Sequence, residues 1–147
     1  MIQETNGVCI GYDDDNQLVL LEAPDSSAPM VPPRFTVPFG ATVHFRFYVK
    51  TGLAVTFANP AITWYDPATK LSLSPPSNVA SLHVDAARKT LSFDYQSSSV
   101  STSTEHHFWL DMLDGATPIR IGGPTPSDPS VRFADPVDPT IVDVGDQ

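Results

Sequence analysis

The chain contains a single cysteine, Cys9, among its 147 residues. One thiol can form neither an intramolecular disulfide nor a cysteine-built zinc site, and an unpaired cysteine fits a reducing compartment. We therefore expect Cys9 to be a small buried hydrophobic side chain rather than part of a covalent framework.

Basic residues are also scarce. Eight Lys and Arg stand against seventeen Asp and Glu, which gives a formal net charge of −9. Phosphate groups would be repelled by this balance unless the few basic residues cluster. We therefore expect neither nucleic acid nor a membrane as a partner.

Long apolar runs and helical patterns are missing as well. No stretch of about 18 apolar residues occurs, so no membrane-spanning helix is predicted. The first residues show no basic segment followed by an apolar one, so no signal peptide is predicted and we expect a cytoplasmic protein, unless export uses another route. No window of about 12 residues has apolar positions three and four apart, so little or no helix is expected.

The sequence does contain a series of short alternating segments. The clearest covers residues 42–49 and places four apolar side chains on one face: Val43, Phe45, Phe47 and Val49. About eight such segments, separated by turn signals, predict an all-β fold, a single antiparallel β-sandwich of the immunoglobulin-like kind. We assign it to residues 1–134 and treat the proline-rich residues 135–147 as a C-terminal tail.

The common metal, nucleophile and phosphate motifs are not found. His106 and His107 are adjacent, so on a strand they point to opposite faces and cannot bind one metal ion together. No serine lies in a nucleophile elbow, and Gly122-Gly123 precedes a proline rather than a helix, so it is no phosphate cradle. We expect neither a metal nor a cofactor.

Aspartate followed by proline occurs four times, and three of these pairs lie within twelve residues: Asp66-Pro67, Asp128-Pro129, Asp135-Pro136 and Asp138-Pro139. An aspartate carboxyl can attack its own main-chain carbonyl through a small ring, so no substrate has to be bound. Proline is a good leaving group because its tertiary amide nitrogen is more basic and more easily twisted out of conjugation.

A second carboxyl with a raised pKa could donate a proton to that nitrogen. Asp138 is the nearest candidate, and Asp111 and Asp143 are alternatives that depend on how the tail packs. The competing interpretation is structural: Asp-Pro starts turns, and the tail is an extended edge strand.

The motif Asp135-Pro136-Val137-Asp138-Pro139 resembles the signature of the DP-EP family, small bacterial proteins with an Asp-Pro followed closely by a Glu-Pro near the C-terminus. Here Asp138 stands in place of the glutamate. The resemblance implies a compact β-sandwich with aspartic-peptidase-like self-processing. Asp135 would then be the reactive residue, Pro136 the leaving side, and Asp138 with Pro139 the acid and the conformational constraint.

Two functions follow as expectations. The first is self-cleavage at Asp135-Pro136, which would release the twelve residues 136–147 and leave every strongly alternating strand in place. The second is a non-enzymatic binding or structural module, in which the tail completes a sheet edge or a homodimer by strand addition. A carbohydrate-binding form of this module would need Trp64 or Trp109 exposed, whereas core packing would bury both.

Overall fold

The computed structural model describes residues 2–4, 7–98, 102–135 and 137–145, and for residues 2–4 and 135 it describes the backbone alone. These residues contain strands and turns and no helix, which confirms the all-β prediction. Within these ranges, no helix is long and apolar enough to cross a membrane.

Thirteen strands occur in the described ranges. In chain order they are β1 (Ile2–Glu4), β2 (Val8–Tyr12), β3 (Leu18–Leu20), β4 (Arg34–Val37), β5 (Thr42–Val49), β6 (Thr56–Tyr65), β7 (Ser72–Leu73), β8 (Val79–Val84), β9 (Thr90–Gln96), β10 (Thr104–Asp114), β11 (Thr117–Ile121), β12 (Arg132–Asp135) and β13 (Thr140–Asp143). The count exceeds the predicted eight because several strands of two to four residues are too short to show alternation.

The strands form two sheets. The first has the order β3-β2-β5-β9-β8, with β1 also paired to β5. The second has the order β12-β11-β10-β13-β4, with β6 on the other side of β10 and β7 beside β6. Both sheets are mixed rather than purely antiparallel, because β1 and β2 run parallel to β5, β12 to β11, and β13 to β4.

Aromatic side chains from both sheets fill the space between them. The four alternating residues of β5 are all buried, as predicted. Phe47 of the first sheet lies 5.9 Å, ring centre to ring centre, from Phe108 of the second, and Trp64 lies the same distance from Phe93. The two sheets therefore pack face to face around one core, which is the predicted sandwich.

The C-terminal tail is part of the second sheet. Its strand β13 pairs antiparallel with the start of β10 and parallel with β4, so it has a neighbour on each side. Ile141 faces the core and is fully buried. Cleavage before residue 136 would leave every strongly alternating strand in the upstream piece, as predicted, but it would break the covalent link to β13, a short strand that the alternation pattern did not predict.

Candidate functional site

The predicted reactive residue, Asp135, ends a strand at the edge of the second sheet. Asp135 is the last residue of β12, and its backbone is paired with Ile121 of β11. The side chain of Asp135 and the whole of Pro136 lie outside the described residues. The two other predicted residues, Asp138 and Pro139, are described and lie between β12 and β13.

The segment just after Pro136 is held by backbone hydrogen bonds. The Gly123 N–H donates to the Val137 carbonyl at 2.9 Å, and the Phe108 N–H donates to the Pro139 carbonyl at 3.1 Å. The Thr140 hydroxyl donates to the Asp138 carbonyl at 2.8 Å. With β12 paired on the upstream side, the chain is anchored both before and after the Asp135-Pro136 bond.

Gly122 and Gly123 pack against residues 137–139. Both have positive φ, 85° and 78°, a conformation that glycine adopts at low cost. A Cβ at Gly122 would lie 2.5 Å from Cδ of Pro139, and a Cβ at Gly123 would lie 2.7 Å from Cε3 of Trp109. The Gly-Gly pair therefore allows close contact with the tail and with a tryptophan ring.

The Asp138 carboxylate is held by two side chains of the second sheet. The Tyr65 hydroxyl donates a hydrogen bond to Oδ1, and Nδ1 of His107 lies 2.8 Å from Oδ2. Tyr65 and His107 are direct cross-strand neighbours on β6 and β10. Burial, and then the adjacent Asp138, raises the pKa of Tyr65 well above its ordinary value. The phenol therefore stays protonated and remains a donor.

His107 connects two carboxylates. Its Nε2 lies 3.4 Å from Oε1 of Glu105, while its Nδ1 faces Asp138. The His107 side chain is only 12% exposed, whereas those of Glu105 and Asp138 are about half exposed. An imidazole in contact with two carboxylates has the geometry to pass a proton from one to the other.

The two alternative acids have other partners. Asp143 is buried, and its Oδ2 accepts from the Tyr95 hydroxyl at 2.9 Å and from the Ser98 N–H at 2.8 Å. Asp111 accepts from Thr63 at 2.7 Å and from the Trp109 indole at 3.0 Å. Burial raises the pKa of Asp111, although these hydrogen bonds oppose the change. Each carboxylate therefore forms hydrogen bonds that join two strands of the sandwich.

The Asp66-Pro67 and Asp128-Pro129 pairs each begin a turn. Oδ1 of Asp66 accepts the Ala68 N–H at 2.8 Å, and Oδ1 of Asp128 accepts the Ser130 N–H at 2.9 Å. Such Asx turns are the structural use of Asp-Pro that the sequence also predicted. Only Asp138 among the described Asp-Pro side chains is bonded to residues of distant strands.

Both tryptophans are buried. Trp64 is 3% exposed and lies in the core, while Trp109 is 7% exposed and lies on the outer face of the second sheet. Arg120 covers its ring, with the guanidinium carbon 3.9 Å from the ring centre. Neither tryptophan presents a free face for stacking on a sugar, so the condition for a carbohydrate platform is not met.

Sequence reasoning missed Tyr65 and His107. The alternation of the two segments does place both residues on outward faces, but it does not show that β6 and β10 are neighbours. Within the described side chains, no group of three His, Cys, Asp or Glu is arranged to bind a metal ion.

The chain matches no family model and no curated protein. Membership of the DP-EP family therefore stays a prediction carried by the five residues 135–139.

Proposed function

We propose that this protein is a self-processing β-sandwich that cleaves its own chain between Asp135 and Pro136, as its resemblance to the DP-EP family implies. The observation that carries the proposal is the anchoring of the chain on both sides of this bond. β12 is paired upstream, and the Val137 and Pro139 carbonyls are hydrogen-bonded downstream. Anchored ends limit the conformations that the bond can sample, which favours an intramolecular reaction.

In the proposed reaction, a carboxylate oxygen of Asp135 attacks the main-chain carbonyl carbon of the same residue. A C–O bond forms, the C–N bond to Pro136 breaks, and the proline nitrogen takes up a proton and leaves as a secondary amine. The product on the upstream side is a cyclic anhydride, which water opens to a C-terminal aspartate.

The proton is proposed to come from the Asp138–His107 pair, the acid-bearing group nearest in sequence to the bond. Nδ1 of His107 lies 2.8 Å from the Asp138 carboxylate, within reach for a proton to pass between them. Replacing Asp138 by Asn should slow cleavage about tenfold or more. Asp114→Asn is the matched control and should leave the rate unchanged, because the Asp114 side chain is exposed and, among the described residues, pairs with Arg132.

The cleaved tail would stay bound, because β13 is paired on both sides and Ile141 is buried. A native separation should therefore show one species after cleavage, and only a denaturing separation should resolve two. The product would be a nicked sandwich rather than a shortened one.

The test is the intact mass of folded protein incubated at about pH 4–5, where exposed carboxyl groups are partly protonated. We expect a fragment ending at Asp135, and none from Asp135→Ala. The Asp66-Pro67 and Asp128-Pro129 bonds are internal controls, since both lie in exposed turns. Cleavage at residue 135 should exceed theirs by about tenfold in folded protein and equal theirs in denaturant.

Equal cleavage at all four Asp-Pro bonds in folded protein would show only the general acid lability of Asp-Pro. Persistence of the intact mass for days would remove self-processing altogether. Either result would leave the second candidate function.

The second candidate is a non-enzymatic module in which the tail completes the second sheet. The position of β13 between β4 and β10 favours it. A chain lacking residues 136–147 should then be unstable or should form homodimers that share strands, which size-exclusion chromatography and urea denaturation would detect. For either function we propose a cytoplasmic setting, because the single cysteine is free and buried.

A further inference from the structure

A groove of about 470 Å³ runs across the outer face of the second sheet beside Trp109. Its polar lining consists of two cations and four hydroxyls: Lys70, Arg120, Thr63, Ser72, Thr125 and Ser127. No carboxylate is found among the described residues that line it. In a chain with a net charge of −9, this is a local concentration of positive charge and hydrogen-bond donors.

Arg120 is fixed in this groove by its neighbours. Its guanidinium carbon lies over the Trp109 ring, 3.9 Å from the ring centre, and Nη1 donates to the Pro124 carbonyl at 3.1 Å. Its Nε is buried and has no hydrogen-bond partner among the described residues. Because the Trp109 ring and the Pro124 carbonyl hold the guanidinium before any ligand arrives, its remaining donors can bind at little further entropic cost.

Arg120 has no carboxylate within ion-pair distance in the described part of the chain, and the same is true of Lys70. Asp111 is the cross-strand neighbour of Arg120, but its two carboxylate oxygens accept from Thr63 and Trp109. Asp111 therefore compensates the partly desolvated guanidinium through space rather than by a direct ion pair. No described carboxylate is bonded to the terminal nitrogens of Arg120, so their donors stay open to an anionic ligand.

We propose that this groove binds the phosphate group of a small organic molecule, with Arg120 and Lys70 pairing with the phosphate oxygens. Arginine matches a phosphate with two parallel donors, and lysine adds a mobile point charge. The hydroxyls of Thr63, Ser72 and Thr125 can donate to further oxygens. A groove of this volume is in the range of small-molecule sites, and exposed Leu71 offers an apolar surface to the organic part.

The test is a titration of the natural protein with inorganic phosphate, followed by amide, indole and arginine Nε–H signals in nuclear magnetic resonance spectra. The Trp109 indole and the Arg120 Nε–H should shift and saturate, whereas the Trp64 indole in the core should not move. Sodium chloride at the same ionic strength should not reproduce the shifts, because a screening effect would not be confined to one groove.

Variants locate the site. Arg120→Gln should weaken phosphate binding about tenfold or more, since it removes charge-assisted hydrogen bonds. Lys70→Gln, on an exposed turn, leaves the packing intact and should weaken binding several-fold. Arg132→Gln, which removes an exposed cation outside the groove, is the matched control and should bind as the natural protein does.

The absence of any saturable shift in the natural protein would overturn the proposal. So would equal weakening by Lys70→Gln and Arg132→Gln, because that result would mean attraction to overall charge. None of these outcomes depends on cleavage at Asp135, so the two proposals can fail separately.

Discussion

Replacing Ile141 by alanine tests whether the tail is a structural strand. Ile141 is fully buried in the core, in the middle of β13, four residues from the end of the described chain. Removing three carbons from a packed site loses their transfer free energy and leaves a cavity, which costs about 2–5 kcal/mol. We expect about 3 kcal/mol here, a large part of the roughly 5–15 kcal/mol by which domains are stable.

Val142→Ala is the matched control on the same strand. Val142 alternates to the outer face and is partly exposed, so the loss should stay below about 1 kcal/mol. Both variants change one aliphatic residue of β13 and leave its backbone hydrogen bonds in place.

The assay is equilibrium urea denaturation at neutral pH, with the intact mass checked before and after. With a slope of about 1–3 kcal/mol per molar urea, Ile141→Ala should lower the midpoint by about 1–3 M. The slope itself should not change, because the strand stays in the native state. If Ile141→Ala and Val142→Ala had the same effect, below about 0.5 kcal/mol, β13 would not be packed against the core and the reasoning from its burial would be refuted.

Two further predictions concern Gly122, which contacts the tail, and the stability of the protein at alkaline pH. Gly122→Ala should destabilise the protein more than Gly115→Ala and slow cleavage at Asp135. Both glycines have positive φ, but only at Gly122 would the new Cβ meet the tail, so the difference in urea midpoint isolates that contact. Burial, reinforced by a neighbouring carboxylate, raises the pKa of Tyr65 and Tyr95, so stability should fall above about pH 10 as the unfolded chain loses these protons first. Phenolate absorbance should show both tyrosines ionising only on unfolding, and ionisation in the folded protein at ordinary pH values would contradict this.

The fold class was readable from local pattern. Strict alternation in β5 predicted which side chains face the core, because successive residues of a strand point to opposite faces whatever the strand pairs with. The same rule correctly separated His106, which faces Trp64 and Tyr95, from His107, which faces Asp138. These results needed no knowledge of which strands are neighbours.

The parallel pairings were not readable in this way. Alternation is the same in parallel and antiparallel strands, so the prediction of a purely antiparallel sandwich rested on the frequency of that architecture. Two strands in the second proline-rich stretch were also not predicted: β11 contains Pro118, β12 lies between Pro129 and Pro136, and both are too short to show a period.

The Asp-Pro motif shows what the sequence determines and what the tertiary structure determines. The sequence by itself determined where the four Asp-Pro bonds lie, because their chemistry depends on two adjacent residues, and only the resemblance to the DP-EP family singles out Asp135-Pro136 among them. Only the tertiary structure decided that Asp138 meets Tyr65 and His107 and that the tail fills an interior position of a sheet. Those contacts join residues up to 73 positions apart, and strand order and register, which bring them together, are set by packing of the whole core rather than by any local pattern.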